Sequence, residues 1–312
     1  MTTSVLRTAD AWWVLTADGT AARVATDAVT TGQLLADRAA VDAAAAGPGG
    51  TAVASLDLVS PVTAPCRVVA QMTNYVSHVE DSGMNPETVP LTFFRKTSGS
   101  ISGPTDDIVR PEHVRFLDYE IELGLVIGEP LTVGDTVTSS TWTRHVAGLV
   151  ITNDVSARDV QLPKTQFFEA KSYPTFTPVG PVLLLLDDAE LRRLPELRLR
   201  LTVDGQVRQD STCLDMIYSP EQALAALARF QRLDTGDLLL TGTPGGTALK
   251  APPRPVELIG ALLPPALKWR KFFQSQAKNP HYLQDGDRLE LTIATPDGAL
   301  DLGTQRTTVR HS

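Results

Sequence analysis

A chain of 312 residues, 42% hydrophobic and 21% charged, is long enough for a sizeable buried core, and this balance excludes a disordered, collagen-like or coiled-coil protein. Its 28 Lys and Arg against 36 Asp and Glu leave a net charge of -8, so neither nucleic acid nor a membrane surface is expected as a partner.

In chain order, residues 11–15 and 21–25 flank an Asp18-Gly19 turn and predict a β-hairpin. Residues 31–46 are rich in helix formers and stop at Gly47-Pro48-Gly49-Gly50, which predicts a helix closed by a breaker cluster. These elements suggest a small N-terminal domain over residues 1–65, followed by a larger body over 66–312. In the body, short β-rich runs at 68–70, 121–128, 148–152, 182–186, 197–203, 238–241 and 289–294 are separated by Pro and Gly turns. Residues 221–230 are the clearest amphipathic helix. The pattern predicts an α+β body dominated by strands rather than a doubly wound sheet. Residues 248–283 stand apart, with two Pro-rich stretches around a short helix at 266–276, and read as an insertion.

Cys66 and Cys213 are the only cysteines and form no Cys-x-x-Cys pattern, which argues against a disulfide framework and a structural zinc site. The longest aliphatic run, 182–186, is far short of the roughly 20 residues of a membrane helix. The first ten residues lack a cationic segment leading into an apolar one, so a soluble cytoplasmic protein is expected.

The most informative stretch is Asp118-Tyr119-Glu120-Ile121-Glu122-Leu123-Gly124. Read as a strand, it projects Glu120 and Glu122 from one face roughly 6.6 to 6.8 Å apart, close enough to share a cation, with Asp118 on the same face as a possible third ligand. An oxygen-only site favours Mg²⁺, Mn²⁺ or Ca²⁺ over zinc. The same alternation also suits a solvated acidic face. Asn153-Asp154 follows the apolar run 148–152, where Asp154 either completes an acidic triad or caps a turn with Asn153 and Ser156. His78 stands three residues before Asp81, with Glu80 between them. On one helical turn, the carboxylate of Asp81 orients the imidazole as a general base, unless the pair is a surface contact. Lys171 and the loop Thr241-Gly242-Thr243-Pro244-Gly245-Gly246 both lie at turns, and backbone N–H groups of such a loop can receive a substrate carboxylate. No phosphate-loop Gly-Lys-Ser/Thr and no Gly-x-Ser-x-Gly elbow occur.

Taken in order, Asn74-Tyr75-x-x-His78, Phe94-x-Lys96, Tyr119-Glu120-x-Glu122-Leu123, Asn153-Asp154-x-x-Ala157-Arg158-Asp159-x-Gln161, Ala170-Lys171-Ser172, Pro178-x-Gly180-Pro181 and Gly236-Asp237-x-x-x-Thr241-Gly242-Thr243-Pro244 resemble the fumarylacetoacetate hydrolase family. The resemblance runs over about residues 66–246 and resumes at Gly286-Asp287. It implies a mixed β-sandwich roll with a small N-terminal domain, assembled as a homodimer. It implies a divalent metal, usually Mg²⁺, on Glu120, Glu122 and Asp154, and leaves Asp118 outside the ligand set. Substrate contacts fall at Arg158, Gln161, Lys171 and Thr243, with Tyr75 a further candidate, and His78 matches the base of a His-acid dyad on a lid. Two departures stand out: Asp81 replaces the glutamate common in that dyad, leaving Glu80 as an alternative partner, and the 248–283 connection is long.

What the resemblance implies is metal-assisted hydrolysis of a carbon–carbon bond in a β-diketo acid of acylpyruvate or fumarylacetoacetate type, with His78, Asp81 or Glu80, and Lys171 as catalytic groups. The same chemistry without activated water gives decarboxylation of an oxaloacetate-type β-keto acid. Proton movement alone gives tautomerisation, isomerisation or hydration of a keto-enoate. A non-catalytic binding module remains the reading from a different class. Trp269, Phe272, Phe273 and Tyr282 in the insertion serve either as an apolar cover for substrate or as packing anchors.

Overall fold

The apolar runs form two β-sheets packed face to face, in a computed structural model that describes residues 2–252, 256 and 262–312. The larger sheet has nine strands, ordered from edge to edge Ala21–Arg23, Trp12–Leu15, Thr3–Arg7, Leu183–Leu185, Val146–Asn153, Ile121–Ile127, Leu238–Leu240, Val68–Met72 and Thr92–Lys96. The second has five, ordered Gln206–Thr212, Arg198–Val203, Arg288–Ala294, Asp301–His311 and Ile108–Arg110. Each sheet mixes directions: Leu238–Leu240 runs parallel to Val68–Met72, and Asp301–His311 parallel to Ile108–Arg110. This is the mixed β-sandwich of an α+β protein.

Burial patterns explain which strand sits where. Every residue of Ile121–Ile127 is buried, as expected for a central strand covered on both faces. On one face Ile121, Leu123 and Leu125 meet Leu199, Leu201, Leu291 and Ile293 of the five-stranded sheet. On the other, Val126, Val150, Leu183 and Leu238 pack with Leu34 and Val41. Arg198–Val203 alternates instead, with its leucines inward and its arginines in solvent. Gly148 allows the close approach at the sheet centre, since a Cβ there would meet the Leu184 carbonyl oxygen at 2.3 Å.

Several local expectations are refined. The predicted hairpin forms, with Trp13 opposite Arg23 and Leu15 opposite Ala21. Thr3–Arg7, not foreseen as a strand, pairs with both Trp12–Leu15 and Leu183–Leu185. The strands of residues 1–65 therefore share a sheet with those of 66–312. The helix expected over 31–46 is two, Thr31–Ala36 and Arg38–Ala46, broken at Asp37. Thr30 caps the first, its hydroxyl accepting the Gln33 N–H while Gln33 returns a bond to the Thr30 N–H, an arrangement contributing about 1 kcal/mol. Together the two helices cover the outer face of the larger sheet. The helix of the insertion spans Pro265–Gln276, whereas residues 253–255 and 257–261 of the Pro-rich stretch before it lie outside the described residues.

Candidate active site

The strand expected over 118–128 is interrupted. Leu117–Asp118 pairs with Ser156–Ala157, whereas Ile121–Ile127 pairs with Val146–Asn153. Side chains explain the break by taking three successive backbone N–H groups: Asp118 Oδ1 accepts from Tyr119 (2.9 Å), Asn153 Oδ1 from Glu120 (3.0 Å) and Gln209 Oε1 from Ile121 (3.0 Å). The Asp154 N–H then donates to the Glu120 carbonyl at 2.8 Å, which ties the two acidic segments together.

This folding brings Glu120, Glu122 and Asp154 into one buried group, with one carboxylate oxygen of each within 4.8 Å of the others. Among the described residues it is the one cluster of three or more His, Cys, Asp or Glu able to hold a metal ion. Asp118 is not part of it, contrary to the expectation of a shared face, because the chain turns at Tyr119 and Glu120. The Asp118 carboxylate instead receives the Ala248 and Leu249 N–H groups (2.8 and 3.1 Å) and Arg158 Nε (2.8 Å).

Three buried cations surround the acids. Lys171 Nζ donates to Glu120 Oε2 at 2.6 Å and Asp154 Oδ2 at 2.5 Å, while Lys96 Nζ donates to Asp154 Oδ1 and to the Phe176 carbonyl. Arg158 spreads its guanidinium over Asp118, Glu120 (Nη2 to Oε1, 2.5 Å) and Gln161 (Nη1 to Oε1, 2.9 Å). Burial opposes ionisation of Glu120, but Lys171 and Arg158 together hold it below the usual carboxylate range. Burial also opposes the charge on Lys171, yet Asp154 and Glu120 keep its pKa above an ordinary lysine's. Glu122 lies at the other extreme. Burial, then Asp154 and Glu120, push it well above the usual range, and among the described residues its carboxylate takes one hydrogen bond, from the Gly242 N–H at 2.7 Å. An all-oxygen donor set that includes a carboxyl whose surroundings oppose its ionisation fits a hard divalent cation such as Mg²⁺, Mn²⁺ or Ca²⁺.

His78 lies on the short helix Val76–Asp81, which is tied down at both ends. The Ser77 hydroxyl donates to Asp215 Oδ2 (2.5 Å) and accepts the Gly245 N–H (2.9 Å). Asp81 accepts the Gly246 N–H (2.9 Å) and Lys250 Nζ (3.3 Å). The expected His78–Asp81 hydrogen bond is absent: the carboxylate reaches the neighbouring loop, and the enclosed His78 Nδ1 has no partner among the described residues. Glu80 faces solvent. Burial lowers the His78 pKa, outweighing the opposing pull of Glu120, so the imidazole is neutral near pH 7.

Other expected substrate contacts are engaged within the protein. Tyr75 is fully buried, its hydroxyl 3.9 Å from Cys213 Sγ, so packing rather than substrate contact is its visible role. Gln161 is occupied by Arg158. The Thr243 hydroxyl donates to the Ile121 carbonyl (2.9 Å) and accepts from Gln209 (2.8 Å), and the Gly242, Gly245 and Gly246 N–H groups all go to side chains. In the insertion, Phe273 stacks on Phe116 at 5.5 Å and Tyr282 tilts against it at 5.1 Å. These two rings anchor the insertion to the segment leading into the site, since the Phe116 carbonyl accepts the Arg158 N–H at 2.9 Å. Lys96 and Gln209 were given no role by sequence reasoning. The Phe94-x-Lys96 motif was the available signal for the first, and nothing local marked the second.

Residues 67–310 match the family model described as fumarylacetoacetate (FAA) hydrolase C-terminal. The chain belongs to the fumarylacetoacetate hydrolase family. One similar relative is the mitochondrial oxaloacetate tautomerase Fahd2a of Rattus norvegicus, 34% identical over 196 residues, which are 62% of this chain and 61% of the relative. The chain thus spans under two thirds of that relative's length. Among solved structures of the family fold, a probable 2-hydroxyhepta-2,4-diene-1,7-dioate isomerase from Mycobacterium abscessus is 28% identical with a TM-score of 0.76, covering 100% of this chain and 99% of its own. The fumarylacetoacetate hydrolase of Exiguobacterium antarcticum is 25% identical with a TM-score of 0.70, covering 100% of both chains. Within the described residues of this family member, no helix is long and apolar enough to cross a membrane.

Proposed function

We propose that this chain is a divalent-metal-dependent enzyme acting on a small 2-oxo acid, and that its reaction is keto–enol tautomerisation of an oxaloacetate-type substrate. The observation that carries this reading is the geometry at His78: among the described residues its Nδ1 has no acid partner, because Asp81 is bound to Gly246 and Lys250. Hydrolysis needs a base that also holds a water against the distal carbonyl, whereas tautomerisation needs one that moves a single proton between the substrate's own carbon and oxygen. The oxaloacetate tautomerase relative supports the same choice.

Glu120, Glu122 and Asp154 would hold the cation, which when bound supplies Lewis-acid polarisation of a substrate carbonyl or carboxylate. His78 takes the proton beside the carbonyl. The Lys171 ammonium and the Arg158 guanidinium face the negative charge that grows on oxygen, in a buried setting where such charges act strongly. Gln161 holds Arg158 in place, and Thr243 fixes the neighbouring loop. Hydrolysis of an acylpyruvate or fumarylacetoacetate-type diketo acid is the second reading, supported by His78 lying one helical turn from Asp81. The family resemblance further suggests a homodimer, and two free cysteines accord with a reducing cytoplasm.

The test follows enol ultraviolet absorbance of oxaloacetate and a panel of acylpyruvates with Mg²⁺ and then with chelator, identifying products by mass. Chelator-sensitive loss of enol with intact oxaloacetate supports the tautomerase. Pyruvate and carbon dioxide from oxaloacetate mean decarboxylation, and pyruvate with a free acid from an acylpyruvate means hydrolysis. Enol loss at the uncatalysed rate throughout overturns the proposal.

A further inference from the structure

Gln209 lies on the Gln206–Thr212 strand of the five-stranded sheet, yet its side chain ends among the groups that shape the acidic site. It is fully enclosed, with 1% of its surface exposed. Its Oε1 accepts the Ile121 N–H at 3.0 Å, and its Nε2 donates to Thr243 Oγ1 and to the Pro244 carbonyl, both at 2.8 Å. Thr243 Oγ1 donates in turn to the Ile121 carbonyl at 2.9 Å. These bonds close a ring around residue 121, which stands between Glu120 and Glu122.

We infer that Gln209 is a positioning residue, which sets the spacing of the two glutamates and the place of the Thr243 loop through the amide ring it closes around Ile121. Three features support this role. The amide uses its acceptor and both donors on main-chain or Thr243 atoms, so its orientation is fixed by the groups around it. Ile121 has its N–H turned away from strand pairing, so without Gln209 that buried donor would be unsatisfied at the point where the chain changes direction. The loop that Gln209 grips also carries the Gly242 N–H bound to Glu122, so one side chain governs both the backbone between the glutamates and a hydrogen bond to one of them. Groups that orient ligand carboxylates from behind govern affinity as well as geometry.

The inference rests on the proposal that Glu120, Glu122 and Asp154 bind a divalent cation, and the experiment separates the two. Calorimetric titration with Mn²⁺ is run on the full chain, on Gln209→Met, on Gln209→Glu and on Gln305→Met, alongside thermal unfolding and steady-state kinetics. Gln305 is a second fully buried glutamine on the same sheet, bound to the Gly180 carbonyl and outside the ring, so its variant reports loss of a buried amide alone. Gln209→Met is expected to weaken Mn²⁺ binding by about 10-fold to 100-fold and to lower kcat. Gln305→Met lowers the melting temperature and leaves Mn²⁺ affinity unchanged. Gln209→Glu retains an acceptor for Ile121 and loses the donors to the loop, and is expected to fall between wild type and Gln209→Met; it carries the test if Gln209→Met does not fold. Unchanged Mn²⁺ affinity and kcat in a folded Gln209 variant overturn the inference. Wild-type protein that takes up no Mn²⁺ overturns the metal reading itself.

Discussion

At Glu122 burial, then Asp154 and Glu120, oppose ionisation, and the Gly242 N–H is its side-chain hydrogen bond among the described residues. Glu122→Ala is expected to abolish Mn²⁺ uptake and turnover together, as read by calorimetry and the enol assay. At His78 the pKa is lowered, so the expected acid limb of kcat/KM has its midpoint below the ordinary imidazole value of about 6.5 and is lost in His78→Gln. The same shift sets a stability trend. Below that ordinary value the unfolded chain binds a proton that folded His78 resists, so this contribution to stability falls as pH falls. Lys96 makes a third case, an enclosed ammonium on Asp154. Lys96→Met leaves that carboxylate with one cation fewer and is expected to cost about 3–5 kcal/mol in denaturant unfolding. The residues of the acidic cluster were legible because carboxylates in an apolar run are conspicuous. Their ion pairs were not: Arg158 and Lys171 were given roles only through the resemblance and reach Glu120 after chain reversals, and no spacing rule shows that Asp81 turns to Gly246 rather than His78.

At the scale of elements, the Thr241–Gly246 loop joins the acidic site to the His78 helix, its N–H groups meeting Glu122, Ser77 and Asp81. Gly242 has φ +88°, and an added Cβ would come within 2.8 Å of Asn74 Cβ. Gly242→Ala is therefore expected to cost about 1–3 kcal/mol and to displace the N–H that meets Glu122, seen as a lower melting temperature with weakened Mn²⁺ binding. Long alternating or mostly apolar strands were readable because their burial follows largely from composition, as in Arg198–Val203 and, Glu122 apart, Ile121–Ile127. Where expectation erred, side chains competed with the backbone: Asp118, Asn153 and Gln209 interrupt the strand at 119–121, and the predicted single helix breaks at Asp37.

At the scale of the whole molecule, residues 1–65 serve, in our reading, as a covering module for one edge and one face of the 66–312 body. Thr3–Arg7 occupies the free side of Leu183–Leu185, and Leu34 and Val41 cover the outer face of the larger sheet. Removing residues 1–65 is expected to yield an aggregating rather than a monodisperse body by light scattering, since it uncovers a hydrophobic face and an unpaired strand edge together. The sandwich was legible as strand-rich α+β, but its strand order was not, because pairs such as 68–72 with 238–240 are set by packing across more than half the chain.

The parallel pairing of Val309–His311 with Ile108–Arg110 bears on the order of events during synthesis. The five-stranded sheet, which delivers Gln209 to the site, is not closed until residues near 309 have left the ribosome. The carboxylates, already made by residue 154, must wait in an open chain while the second half is completed. Pairings this distant in sequence make folding slow and concerted. Pulsed hydrogen exchange during refolding should find the amides of Ile121, Gly242 and Val309 becoming protected in the same kinetic phase.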